Sequence, residues 1–158
     1  MSIRIQTILV PTDFSKNARV AVETGCELAH QLGAKLYLLH AQDESTLRTA
    51  IKEELFDGDA TDELLQARVM KMVEVRFSEL LATLNHTDLK IQSLSLRGDP
   101  KFLITQYASE INADLVVIGM RGITAASTIV SAVIGSVTEY VMRSSPCPTL
   151  VVRLDHER

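Results

Sequence analysis

No run of apolar residues in this chain approaches the roughly 20 that cross a bilayer, and the longest are short stretches such as Leu115 to Ile118. No transmembrane helix and no membrane partner are expected. The N-terminus, MSIRIQT, lacks the apolar stretch and small-residue cleavage site of a secretory signal, so the expected location is cytoplasmic. Basic residues are in slight deficit. With 16 Lys and Arg against 20 Asp and Glu, the formal charge is -4, which gives no pull toward nucleic acid or an anionic surface. Cysteine is scarce: Cys26 falls on the apolar side of a helical pattern and Cys147 sits between Pro146 and Pro148. Without an export signal, two free thiols are expected rather than a structural disulfide. There is no internal repeat, low-complexity tract or interdomain linker. A chain of 158 residues, 46% hydrophobic and 23% charged, has enough material for one core and too little for two ordinary domains, so 1–158 reads as a single domain.

Catalytic patterns are equally sparse. No glycine-rich loop is followed by a Walker lysine and no GxSxG elbow appears, so fast nucleotide turnover and serine-hydrolase chemistry are unsupported. Of the four histidines, His30 falls on the first helix, His40 ends the second strand, His86 follows the second long helix and His156 is in the tail. No two stand at a metal-ligand spacing, and no metal is expected. Asp57, Asp59 and Asp62 do not have the spacing of a calcium loop and read as a solvated turn. Cys147 has no histidine near it in sequence to serve as its base.

What the chain does have is a regular alternation. Thr7 to Pro11, Ala34 to His40, Asp114 to Gly119 and Thr149 to Arg153 are short apolar runs, as expected of strands buried on both faces. Leu89 to Leu96 mixes polar residues into its run and reads as a strand nearer a sheet edge. Between them, Ala18, Ala21, Val22, Gly25, Leu28, Ala29 and Leu32 recur at helical steps, as do Val69, Met72, Val73, Phe77, Leu80, Leu81 and Leu84. Ser15 can cap the first helix and Gly33 can end it, while Asp99-Pro100 opens a third with Leu103, Ile104, Tyr107, Ala108 and Ile111 as its inner face. A short helix is predicted over Ser45 to Phe56. Strands alternating with helices imply right-handed crossovers, a parallel sheet and a doubly wound α/β fold. Such folds bind ligands beyond the carboxyl ends of the strands, where the winding reverses.

Three segments stand at strand ends. After the first strand comes Val10-Pro11-Thr12-Asp13-Phe14-Ser15, in which the Asp13 carboxylate can accept from ribose hydroxyls or an adenine amino group, or simply cap the helix that follows. After the fourth comes Ile118-Gly119-Met120-Arg121-Gly122, with Arg121 the only basic residue before Gly135 and hence the side chain there able to neutralise phosphate. Gly135-Ser136-Val137-Thr138 opens or enters the last helix. Its amides and the Ser136 and Thr138 hydroxyls suit phosphate oxygens, although a tight turn and an ordinary cap would look the same.

The combination of TILVPTDFS, RGDP, ADLVVIGMRG and GSVTEYVMRSSPCPTLVV resembles the universal stress protein family over nearly the whole chain. The resemblance implies an adenine nucleotide alpha hydrolase-like fold with a five-stranded parallel sheet ordered 3-2-1-4-5. It also implies a homodimer through the last strand and, in one branch, bound ATP with or without Mg2+. By that resemblance Pro11, Thr12, Asp13 and the backbone of Ala41 face adenine and ribose, while Gly119, Arg121, Gly122, Gly135, Ser136, Val137 and Thr138 surround ribose and phosphates.

One departure bears on this. Twelve residues separate Gly122 from Gly135, more than the ATP-binding branch places there, and Val130, Val133, Ile134, Val137 and Val141 continue a helical spacing through the Gly-Ser pair. Either a helix begun before Val130 runs through Gly135 and takes its amide out of use, or the extra residues bulge outward and the phosphate site survives. Three functions follow: an ATP-responsive stress factor, a nucleotide-free dimeric interaction module, and a slow ATP hydrolase, the last by analogy of fold alone.

Overall fold

Thr7–Pro11 forms β1, Lys16–Leu32 α1, Lys35–Gln42 β2 and Asp62–Ala82 α2. Ile91–Arg97 forms β3, Pro100–Glu110 α3, Leu115–Gly119 β4, Ser136–Ser144 α4 and Thr149–Val152 β5. This is a computed structural model, and it describes residues 3–43, 62–86, 88–121 and 134–154. The helix predicted over Ser45 to Phe56, together with Asp57 and Asp59, lies outside the described residues. So does Gly122.

The five strands form one parallel sheet in the order β3-β2-β1-β4-β5, as the family resemblance implies. Alternation of side chains along each central strand divides the core into two layers. Ile8 and Val10 of β1, Leu36 and Leu38 of β2, and Leu115 and Val117 of β4 meet Val22 and Cys26 of α1 and Val73 and Phe77 of α2. Leu9, Leu39, Val116 and Ile118 point the other way, onto Ile104 and Ala108 of α3 and Val141 of α4. Each fully buried aliphatic side chain contributes about 1.5–3 kcal/mol, so these two layers supply most of the force that closes helices over both faces. The chain winds outward from β1 to β3 and then returns to place β4 on the other flank of β1. The reversal point therefore lies between the carboxyl ends of β1 and β4.

Local signals act where the sequence places them. Ser15 caps α1 by accepting from the Ala18 amide at 3.2 Å, and Gly33 ends it in the left-handed region at φ 64°. Asp99 caps α3 by accepting from the Lys101 amide at 2.8 Å, with Pro100 as first helical residue. The last strand corrects one expectation. Thr149 to Arg153 reads as buried on both faces, but β5 is an edge strand, half-exposed along its length, with Leu150 40% exposed.

Candidate functional site

The β1–α1 connection is a tight turn made from its own side chains. Thr12 Oγ1 accepts from the Phe14 amide at 3.0 Å, and Asp13 Oδ1 accepts from the Ser15 amide at 3.0 Å. The Asp13 carboxylate thus orders the turn that leads into the Ser15 cap. Phe14 sits at φ 61°, a conformation that costs a non-glycine residue about 1–2 kcal/mol. Its ring is held between His40, 4.8 Å away, and Phe77 of α2, 5.1 Å away and edge-on. Aromatic packing on two sides offsets the strained backbone.

His40 anchors the same turn from below. It is buried, and its Nδ1 donates to the Thr12 carbonyl at 2.8 Å, so the neutral ring carries its proton on Nδ1. Burial pulls its pKa below the ordinary imidazole value, outweighing the Thr12 carbonyl and the nearby Asp13 and Asp43, which act the other way, while Arg76 adds to the lowering. Because the unfolded chain takes up this proton more readily than the folded one, stability is full above the ordinary value of about 6.5 and is lost as pH falls below it toward the folded pKa. Urea denaturation across pH 7.5 to 5 should show His40 contributing a slope of up to about 1.4 kcal/mol per pH unit in that window. His40→Gln should flatten it. An equal slope in wild type and variant would contradict this account.

Beside this turn, β2 outruns β1. The last β1–β2 pair is Pro11 with Leu39, and the Thr12 amide adds one more bond to the Leu39 carbonyl, whereas β2 continues to Gln42. Ala41 lies beyond that last pair, at the rim where the resemblance puts adenine.

On the other flank of β1, the end of β4 is bound tightly into the fold. A Cβ on Gly119 would lie 2.8 Å from the Asn17 carbonyl oxygen, so only glycine admits the first turn of α1 at this distance. The Thr138 hydroxyl, buried, donates to the Gly119 carbonyl at 2.8 Å. Gly135 donates its amide to the Met120 carbonyl at 2.9 Å, and Met120 in turn donates to Val152 at 2.9 Å.

Gly135 is the N-cap of α4 in extended backbone, at φ -66° and ψ 151°. The alternative in which a helix runs through the Gly-Ser pair does not hold at this residue. Its amide is nevertheless committed to Met120. The first helical bond of α4 runs from Glu139 to the Gly135 carbonyl, so the amides of Ser136, Val137 and Thr138 belong to the first turn, where the helix itself provides no acceptor. Ser136 is exposed, Val137 and Arg121 are half-buried, and Thr138 is buried.

The candidate residues therefore gather at one end of the sheet: Pro11 ends β1 and Thr12 and Asp13 follow it, Ala41 lies on β2, Gly119 ends β4 with Arg121 two residues beyond, and Gly135 to Thr138 open α4. The sequence reading missed the supporting pair of His40 and Phe14, whose signal was a histidine closing an apolar strand. A groove of about 690 Å³ along α2, lined by Ala67, Arg68, Lys71, Met72, Val75, Arg76 and Glu79, contains none of the candidate binding residues named from sequence. Neither thiol is set up for chemistry. Burial, then the nearby Glu23, pushes Cys26 up to about 11, and burial also raises Cys147, whose Sγ lies 3.6 Å from the Ser145 hydroxyl.

Known proteins share this fold. A universal stress protein of Thermus aquaticus is 31% identical over 148 residues, spanning 94% of this chain and 98% of the relative. The solved structure of MJ0577, a universal stress protein of Methanocaldococcus jannaschii, is 24% identical and superposes with a TM-score of 0.77 over 98% of this chain and 100% of that one. The Archaeoglobus fulgidus universal stress protein in complex with dAMP is 18% identical, with a TM-score of 0.58 over 95% of this chain and 98% of that one. Residues 4–153 match the sequence model of the universal stress protein family, which takes in every strand and helix of the sheet, and the chain belongs to that family.

Proposed function

We propose that this protein binds an adenine nucleotide, ATP in the first instance, at the reversal point of its sheet and acts as a cytoplasmic homodimer whose nucleotide occupancy is the signal. The observation that carries the reading is the start of α4. Its helix begins immediately after Gly135, so the first-turn amides of Ser136, Val137 and Thr138 bring partial positive charge to the ends of β1 and β4, a setting that favours phosphate. Asp13 and the rim at Ala41 supply acceptors for ribose hydroxyls and the adenine amino group. The Archaeoglobus relative bound to dAMP supports the same ligand class. Mg2+ would arrive with the triphosphate. The half-exposed edge strand β5 supports pairing of two copies through that strand.

A second reading is favoured by one observation. Gly135 and Thr138 spend their amide and hydroxyl on Met120 and Gly119, which ties down this end of the sheet without a ligand. That arrangement suits a nucleotide-free interaction module.

Mass spectrometry of small molecules released on denaturing the fresh protein, with a thermal shift in ATP and magnesium, separates the two. The expected result is released adenine nucleotide and a rise in melting temperature, worth about 2.7 kcal/mol at a hundredfold excess over Kd. Asp13→Ala should weaken binding by about tenfold, the loss of one charge-assisted hydrogen bond. No released nucleotide and no shift would leave the interaction module.

A further inference from the structure

At the opposite end of the sheet, far from this crevice, two histidines distant in sequence stack face to face. His30 lies in the last turn of α1 and His86 in the connection between α2 and β3, with ring centroids 4.2 Å apart and planes inclined by 16°. Asp88 Oδ2 lies 3.4 Å from His30 Nδ1, and Glu27 Oε2 lies 2.8 Å from His86 Nε2. One donor atom each from His30, His86 and Asp88 fall within 4.8 Å of one another.

We propose that His30, His86 and Asp88 form a binding site for a borderline divalent cation of the zinc class, with Glu27 as the residue that orients His86. Two imidazoles and a carboxylate are a donor set such ions prefer, and solvent can complete the shell. Glu27 holds His86 through Nε2, which leaves Nδ1 to the ion and reproduces the carboxylate–histidine–metal relay. A tetrahedral ion with bonds of about 2.0–2.1 Å needs donors about 3.3 Å apart. The rings must swing out of their stack to close that gap, and their exposure, 44% for His30 and 23% for His86, leaves them room. The ligands come from α1 and from the two sides of the turn leading to β3, so a bound ion would pin these elements together at the amino ends of the strands. The site shares no residue with the nucleotide crevice and does not depend on it.

Calorimetric titration of the full chain with zinc chloride alone, repeated with cobalt chloride and read by visible absorption, tests the proposal. The expected result is one saturable ion per chain, a cobalt spectrum of low-coordinate type and a zinc-dependent rise in melting temperature. His30→Ala, His86→Ala and Asp88→Asn should each weaken binding by about tenfold or more, and Glu27→Gln by about tenfold. His156→Ala and Cys147→Ser should leave it unchanged. Absence of saturable binding, or binding that survives His30→Ala and His86→Ala in protein with an intact unfolding transition, would overturn it. The cluster would then be a stacked imidazole pair flanked by carboxylates.

Discussion

Replacing Gly119 with alanine is expected to lower the unfolding free energy by about 2–3 kcal/mol, seen as a lower urea midpoint with an unchanged slope. The added Cβ would lie 2.8 Å from the Asn17 carbonyl oxygen, 2.9 Å from its carbon and 3.2 Å from the Ala18 nitrogen. All three are main-chain atoms. A flexible side chain could swing away, but the first turn of α1 is fixed by the Ser15 cap and by Ala18, which is buried against the sheet. The helix start must therefore move as a unit, and the Thr12 to Ser15 turn moves with it. Nucleotide affinity should fall alongside stability, because the two walls of the crevice are the parts forced apart. An unchanged midpoint would show that α1 yields at this point without cost.

Thr138→Val should cost about 2 kcal/mol, since it keeps the shape of the side chain but leaves the buried Gly119 carbonyl without its 2.8 Å donor. Thr138→Ser retains the hydroxyl and loses a methyl group, at about 0.8 kcal/mol. The comparison separates a hydrogen bond from packing. Combined with Gly119→Ala, the Thr138→Val effect should be less than additive, because both changes act on Gly119, one pushing it off the first turn of α1 and the other removing the donor to its carbonyl. If valine and serine cost the same, the hydroxyl is not holding the strand end. Thr138 would then be available to a ligand.

The central strands were legible because Ile8 to Val10, Leu36 to Leu39 and Leu115 to Ile118 are continuous apolar runs that only a sheet covered on both faces can bury. The same rule misled at β5. Four residues, Thr149 to Val152, carry too little pattern to distinguish a covered strand from an edge. Strand order was not readable from periodicity and came with the family resemblance. At the site, Asp13, Gly119 and the Gly-Ser pair could be nominated because strand ends and glycines are visible in sequence. How each is used could not. Whether the Thr138 hydroxyl serves a ligand or the fold depends on a carbonyl 19 positions away, and the commitment of the Gly135 amide to Met120 depends on where the chain returns after residues 122–133, which lie outside the described residues. The grouping of His30 with His86 and Asp88 was hidden for a similar reason. Glu27 and His86 are 59 positions apart, and spacing rules detect only ligands that share an element.

The reversal between β1 and β4 also sets an order of assembly. β1, β2 and β3 pair in the sequence in which they leave the ribosome, each with the strand next to it in chain order. The other flank of β1 must wait. Asp114, at the entrance to β4, accepts from the Gln6 and Thr7 amides at separations of 108 and 107 positions, so β1 keeps one edge unpaired until most of the chain exists. Such long-range closures are slow and leave apolar strand edges open to misassembly. The crevice, which needs β4 and the start of α4, cannot form until these late elements have joined β1, and β5 closes onto β4 after them.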